Sequence, residues 1–235
     1  MLLAVRGLTK RFDRKTAVDD LSFTVAGGEI VAVVGPNGAG KSTTFLCLAG
    51  LVRPDAGTIA LDGTPAGAGR GRAVALIPET PEVYPMLTVR EHLAFAAALT
   101  KQPAGWERRA DALLARLGME REHDTLGHAL SKGMRQKTLL AATIVGGAPV
   151  LLFDEPMIGL DPLGQRELRA ILADLRDEGH AILVSTHLLD SAAATCDRML
   201  VLDRGRLVAD GTIDELRARA GEASIEDLFL DVTGG

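Results

Sequence analysis

A glycine-rich segment near the N-terminus has the residue types and spacing of a phosphate-binding loop. Residues 35–42 read GPNGAGKS and fit the Walker A pattern G-x-x-x-x-G-K-[ST]. The glycines allow backbone N–H groups to turn toward phosphate oxygens, and the helix expected to begin at Lys41 adds the partial positive charge of its N-terminus. Lys41 would supply a full positive charge to the β- and γ-phosphates, and Ser42 would offer a hydroxyl to Mg²⁺. The segment therefore predicts a site for a nucleoside triphosphate.

Asp154 and Glu155 are a second pair of candidate functional residues, directly after the apolar residues 150–153 (VLLF). The apolar residues predict a buried strand, and in a parallel sheet the carboxyl ends of the strands border the ligand crevice. Asp154 is suited to hold Mg²⁺, and Glu155 is suited to orient or deprotonate an attacking water. On their own the two acids could form an ordinary acidic turn, but together with the phosphate loop they predict nucleotide hydrolysis.

The elements around these residues predict an α/β fold. Short runs rich in Val, Ile and Leu are apolar throughout rather than alternating, which is typical of strands in a parallel sheet flanked by helices. Helices lie between them, and capping boxes join Thr88 with Glu91 and Thr212 with Glu215. The expected strands are residues 30–34, 73–78, 150–153, 181–185 and 199–202, and the expected helices are residues 41–51, 88–99, 106–117, 131–145 and 162–178.

Three further segments differ from this alternation of strands and helices. Residues 2–12 and 16–25 predict antiparallel strands around a charged turn, residues 88–147 predict a helical block without a convincing strand, and residues 65–72 (PAGAGRGR) predict a surface loop. We therefore expect a P-loop NTPase core with a mostly parallel sheet, an N-terminal antiparallel β layer and an inserted helical subdomain. The expected division is a core of residues 1–87 and 148–211, a helical subdomain of residues 88–147 and a C-terminal helical tail of residues 212–235.

The composition argues against several other classes of protein. Lys and Arg number 26 against 31 Asp and Glu among 235 residues, a net charge of −5, and aromatic residues make up 3%, so a charged or stacking surface for nucleic acid is not expected. Cys47 and Cys196 give neither a disulfide framework nor a zinc site. The N-terminus lacks a signal-peptide pattern, and the longest uncharged run, residues 138–153, is too short to span a bilayer comfortably. We expect a soluble, cytoplasmic protein.

The eight residues 130–137 (LSKGMRQK), just before the acidic strand, resemble the LSGGQ signature of ATP-binding-cassette (ABC) ATPases. The other motifs of that family have similar counterparts in the same order, from residue 3 to about residue 211. The counterparts are Phe12, similar to the aromatic residue that stacks on adenine; Glu79, at the place of the Q-loop glutamine; Gly159, Leu160 and Asp161, which match the D-loop; and His187, which matches the switch histidine.

The resemblance implies that two copies of the chain pair head to tail and share two ATP molecules. Ser131 and Gly133 of one copy would close on ATP held by the Walker A loop of the other, although Ser131 considered by itself is an ordinary helix N-cap. His187 would hold the γ-phosphate. The motifs and the resemblance together assign catalysis to Lys41, Glu155 and His187, Mg²⁺ binding to Ser42, Glu79 and Asp154, and ATP binding to Phe12, Gly35, Asn37, Gly38, Ala39, Gly40, Lys41, Ser42, Thr43, Ser131 and Gly133.

Some residues depart from the family pattern. Lys132 and Met134 replace a Gly and the final Gln of the signature, and Glu79 replaces a Gln and adds negative charge near the γ-phosphate. These changes leave the phosphate and metal chemistry intact and bear on dimer closure and on signalling between subunits. Together with residues 225–230 (IEDLFL), the pattern resembles the exporter branch of the family, whose members act with separately encoded permeases.

These expectations give one principal function and two alternatives. The principal function is an ATP-binding and hydrolysing subunit that powers a separate membrane permease, an exporter by resemblance; the permease would dock near Glu79 and residues 83–93 and hold the chain at the inner face of the membrane. The first alternative is a non-transport ABC ATPase of DNA repair or translation, which the single cassette and the net charge of −5 oppose. The second is a P-loop kinase or GTPase, which the signature-like segment and His187 oppose.

Overall fold

Two β-sheets form the frame of the molecule in the computed structural model, which describes residues 2–67, 70–187 and 189–220. Sheet A is antiparallel, with strand order β2-β1-β4-β5. Its strands are β1 (Leu3–Phe12), β2 (Lys15–Val25), β4 (Ala56–Leu61) and β5 (Thr64–Pro65). The short turn between β1 and β2 sets Phe12 at the end of its strand, as the charged turn in the sequence predicted.

Sheet B has the strand order β10-β9-β3-β8-β7-β6 and is mostly parallel. The four pairings from β9 to β6 are parallel, and β10 alone runs antiparallel, against β9. The strands are β3 (Glu29–Val34), β6 (Val74–Ile77), β7 (Val150–Asp154), β8 (Ala181–Thr186), β9 (Arg198–Asp203) and β10 (Arg206–Thr212). The expected α/β P-loop fold with a mostly parallel sheet is confirmed.

Helices surround sheet B, and their ends agree with the capping signals in the sequence. Thr88 caps α2 with a complete capping box to Glu91, and Asp161 caps α5 with Pro162 in its first turn. The helices are α1 (Lys41–Ala49), α2 (Val89–Thr100), α3 (Trp106–Arg116), α4 (Lys132–Val145), α5 (Pro162–Asp177), α6 (Leu189–Thr195) and α7 (Ile213–Ala220), with 3₁₀ turns at Arg70–Arg72 and Gly127–Ala129. None of the described helices has both the length and the apolar character needed to cross a membrane.

The continuous apolar runs of the parallel strands are explained by two separate cores. In β3, Ile30 and Val34 belong to a buried cluster with residues of helices α2 to α5, whereas Val31 and Val33 belong to a second cluster with α1 and sheet A. Alternate side chains of a strand point to opposite faces, so a strand between two apolar layers has no polar face. Strands β7 and β8 are both fully buried, and their in-register parallel pairing places the carboxyl end of β7 beside that of β8.

The sequence patterns missed three strands. β4 and β10 are mostly half-exposed or exposed, so they lack the apolar run that identified the other strands. β5 and the 3₁₀ turn at Arg70–Arg72 lie within residues 64–72, most of which was expected to be a surface loop. The Thr212–Glu215 capping box starts α7 as expected, while residues 221–235 of the predicted helical tail, including residues 225–230, lie outside the described residues.

Candidate functional site

The phosphate loop connects the buried strand β3 to helix α1. Gly40, the residue before Lys41, has a φ of 104°, and a Cβ there would lie 2.5 Å from the carbonyl oxygen of Ala17. Only glycine accepts both conditions, because a positive φ and a backbone contact of that length exclude a side chain. The hydroxyl of Thr44 donates to the Gly40 carbonyl at 2.9 Å and holds the first turn of α1. Residues 35–40 are thereby fixed over the helix N-terminus.

Lys41 is a buried cation inside this loop. Its Nζ donates to the carbonyl oxygens of Gly35 at 2.7 Å and Pro36 at 3.3 Å. Burial lowers the pKa of Lys41 below the ordinary lysine value, and three nearby carboxylates, with Glu155 contributing most, act in the opposite direction. The Nζ atom of Lys41 thus lies inside the loop, and the three carboxylates line the same cavity.

The acids lie where β7 and β8 end next to each other. Asp154 pairs in register with Ser185, and the Ser185 hydroxyl donates to Asp154 Oδ1. Glu155 follows with a left-handed φ of 49°, and its Oε1 lies 2.9 Å from Nδ1 of His187. Asp154 and Glu155 are both buried, while His187 is exposed. Ser185 connects Asp154 to Glu155, and Glu155 contacts His187, so the four residues form one hydrogen-bonded group at the carboxyl ends of the strands.

One cavity of about 500 Å³ joins the loop to the acids. It brings together most of the residues that the sequence singled out, and Phe12 lines it with 47% of its surface exposed, beneath Lys10 Nζ at 5.2 Å from the ring centroid. Three lining residues were not identified from the sequence: Lys15, Ala17 and Ile158. The predicted residues in the lining are Phe12, Asn37, Gly38, Ala39, Gly40, Lys41, Ser42, Thr43, Glu79, Asp154, Glu155 and His187.

Ser131 and Gly133 do not line this cavity within one chain. Ser131 caps α4, accepting the N–H of Met134 at 3.2 Å, so its ordinary capping role is present. A Cβ at Gly133 would lie 3.1 Å from the carbonyl oxygen of Gly159, which explains the close contact between the start of α4 and the turn before α5. Within the signature-like segment, Ser131 and Lys132 are exposed at the start of α4, outside the cavity that contains the chain's own phosphate loop.

The oxygen donors at the cavity fit a hard divalent cation. Ser42 offers a hydroxyl, and Glu79 and Asp154 offer carboxylates, which are the ligand types that Mg²⁺ takes. Among the described residues, no group of three or more His, Cys, Asp or Glu side chains is arranged to hold a metal ion by itself. The donor set therefore suits an ion that also binds water and the phosphates of a nucleotide.

A second cavity of about 520 Å³ lies between α2, α4 and β6, and we name it the aromatic groove. Tyr84 lines it, stacked on His92 and edge-on to Phe95. Tyr84, Phe95 and Leu99 are 56%, 43% and 60% exposed, which is unusual for such large apolar side chains in one patch. Glu79 lines the nucleotide-sized cavity and Tyr84 lines the groove, so residues 79–84 connect the two.

Comparisons with known proteins agree with this geometry. The family model described as "ABC transporter" matches residues 18–158. The ABC-type transporter ATP-binding protein EcsA of Bacillus subtilis is 36% identical over 99% of this chain and 96% of its own length, and the SkfA peptide export ATP-binding protein SkfE of the same organism is 37% identical over 93% and 92%. A solved structure of an ATP-binding subunit of an ABC transporter superposes with a TM-score of 0.94 at 37% identity, covering 99% of this chain and all of that one.

Proposed function

The chain belongs to the ABC transporter family as one of its ATP-hydrolysing subunits, and we propose that it drives export through a separately encoded membrane permease. The observation that carries the proposal is the single cavity in which the phosphate loop, Asp154, Glu155 and His187 meet. Export is supported by the relative SkfE, which is named for peptide export. The non-transport alternative has no support among the relatives found. In this proposal the chain works at the inner face of the membrane, attached through its permease.

Different residues of the cavity would have different roles in ATP binding and hydrolysis. Backbone N–H groups of the loop and Lys41 would bind the phosphates of ATP, and Phe12 would stack on the adenine. Ser42, Asp154 and Glu79 would hold Mg²⁺, which when bound neutralises charge on the β- and γ-phosphates. Glu155 would orient the attacking water and accept its proton. These assignments are supported by the common cavity and by the oxygen donors that it contains.

A second copy of the chain would complete the site. The start of α4 carries the partial positive charge of a helix N-terminus together with Lys132, and it is exposed. Since Ser131 and Gly133 lie outside the chain's own cavity, the same residues of a partner copy would contact the γ-phosphate when two copies pair head to tail. Neither copy then holds a complete hydrolytic centre, and ATP acts as the bridge between them.

The permease would dock in the aromatic groove. The groove is concave, apolar and lined by large exposed side chains, among them Tyr84, Phe95 and Leu99. Its location overlaps residues 83–93, where docking was expected from the sequence. Tyr84 in the groove is only five residues after Glu79 in the nucleotide cavity. A movement of the docked permease would therefore be transmitted along this short segment to a proposed Mg²⁺ ligand.

Hydrolysis by the purified chain, with and without Mg²⁺, tests the proposed activity first. The expected result is Mg²⁺-dependent release of phosphate from ATP, lost in the Lys41→Ala variant. GTP hydrolysis without ATP hydrolysis, or transfer of phosphate to an acceptor other than water, would favour a GTPase or kinase and contradict the proposal.

A further inference from the structure

Ser185 is one of two polar residues that end the otherwise apolar strand β8, and its side chain is fully buried. It lies near the end of β8 after Ala181, Ile182, Leu183 and Val184, and it is 0% exposed. A buried hydroxyl costs free energy unless it is hydrogen-bonded, so the partners of Ser185 indicate why a polar residue stands here.

The hydroxyl of Ser185 forms hydrogen bonds with two residues that line the catalytic cavity. Ser185 Oγ donates to Oδ1 of Asp154 and accepts the backbone N–H of Glu155 at 3.1 Å. The backbone carbonyl of Ser185 accepts the same N–H at 3.2 Å. One residue thus contacts the carboxylate of Asp154 and the backbone of Glu155 at the same time.

These hydrogen bonds restrain the rotation of the Asp154 carboxylate and the backbone conformation of Glu155. The bond to Oδ1 fixes the rotation of the Asp154 side chain and leaves the other lone pairs of the carboxylate for the cavity that it lines. The bond to the N–H of Glu155 holds a residue whose φ of 49° lies in the left-handed region, which a side chain other than glycine adopts at a cost. The direction of the Glu155 side chain depends on that backbone conformation.

We propose that Ser185 is a positioning residue for hydrolysis, which orients the Asp154 carboxylate toward Mg²⁺ and fixes the backbone from which Glu155 reaches the attacking water. This inference rests on the proposed ATPase function and extends it to a residue outside the family motifs described above. Ser185 itself contacts neither nucleotide nor metal; it acts through Asp154 and Glu155. Removal of its hydroxyl should therefore weaken the use of Mg²⁺ and slow turnover while ATP binding through the phosphate loop persists.

The test compares Ser185→Ala and Ser185→Thr with a control, Thr138→Ala, which removes another fully buried hydroxyl, one that donates to the Met134 carbonyl within α4. Binding of a fluorescent ATP analogue is titrated with Mg²⁺ from a metal-free start, and kcat and KM are measured separately. In Ser185→Ala, metal-free binding and KM should match wild type, while the Mg²⁺ concentration for half-maximal effect rises and kcat falls, each about 10- to 100-fold. Ser185→Thr, which keeps the hydroxyl, should restore both values, and Thr138→Ala should leave both unchanged.

The proposal is overturned if Ser185→Ala has the Mg²⁺ requirement and kcat of wild type, or if Ser185→Thr is as impaired as Ser185→Ala. If Ser185→Ala does not fold, as judged by its melting temperature, Ser185→Cys takes its place, because the thiol is a weak donor of similar shape and the same losses are expected. A wild-type chain that shows no Mg²⁺-dependent hydrolysis would instead refute the proposed function, so the two failures are distinguishable.

Discussion

Nδ1 of His187 lies 2.9 Å from Oε1 of Glu155, across the adjacent ends of two parallel strands. An ionised carboxylate can only accept, so the Nδ1 nitrogen carries the proton of this bond. The other ring nitrogen, Nε2, then donates to a phosphate oxygen only when the ring is doubly protonated. The pairing connects the proposed base to the residue proposed to hold the γ-phosphate.

Replacement of His187 by Ala should slow hydrolysis without preventing ATP binding. The variant loses both the contact to the γ-phosphate and the hydrogen bond that orients Glu155, and loss of one such donor typically costs about 10²- to 10³-fold in kcat. Steady-state phosphate release and equilibrium ATP binding measure the two effects. His123→Ala, a histidine that contacts Arg90 away from the cavity, is the control and should retain wild-type turnover. Equal turnover by the two variants would show that His187 has no role in hydrolysis.

The Glu155→Gln substitution keeps the size of the side chain and removes its basicity. Turnover should fall by about 10²- to 10⁴-fold, the usual contribution of a general base, while ATP remains bound. Glu120→Gln, at an exposed position far from the loop in sequence, controls for the change of charge and should hydrolyse ATP at the wild-type rate. A Glu155→Gln variant that hydrolyses ATP at the wild-type rate would show that another group activates the water.

Glu79 gives a prediction that is particular to this chain, because its carboxylate stands where the family pattern has an amide. Glu79→Gln removes one negative charge from the proposed metal ligands, so the Mg²⁺ concentration needed for half-maximal ATP hydrolysis should rise severalfold. The variant should still turn over at saturating Mg²⁺, since a neutral oxygen ligand remains. Glu82→Gln, in the same loop but not in the cavity lining, is the matched control. An unchanged Mg²⁺ requirement in Glu79→Gln would place Glu79 outside the metal site.

The sequence predicted the parts of the structure whose physical causes are local. The parallel strands of sheet B are apolar on both faces because each packs against a buried cluster on either side, and this burial leaves a continuous apolar run in the sequence. The capping boxes at Thr88 and Thr212 are likewise local and agree with the observed bonds. By contrast, β4 and β10 are partly exposed, and their identity as strands depends on partners that lie far away in the sequence.

The site itself could be predicted as a set of residues, but not as a geometry. Walker A spacing, the acidic strand end and the family resemblance identified most of the residues that line the cavity. The left-handed backbone of Glu155 and the proposed role of Ser185 follow only from the pairing of β7 with β8. The shape of the aromatic groove could not be predicted for a similar reason, although docking was expected near residues 83–93, which it overlaps. Tyr84 and Phe95 belong to a loop and a helix, and only the packing of α2 brings them into one exposed patch.

The most direct measurement for the shared site is complementation between two inactive variants. Lys41→Ala disables the phosphate loop, and Ser131→Arg disables the helix start that would contact the partner's ATP. Neither variant alone should hydrolyse ATP appreciably, but in an equimolar mixture half of the pairs combine an intact loop with an intact helix start at one of their two sites. The mixture should therefore recover about a quarter of wild-type turnover. A mixture no more active than the mean of its two components would contradict a site built from two copies of the chain.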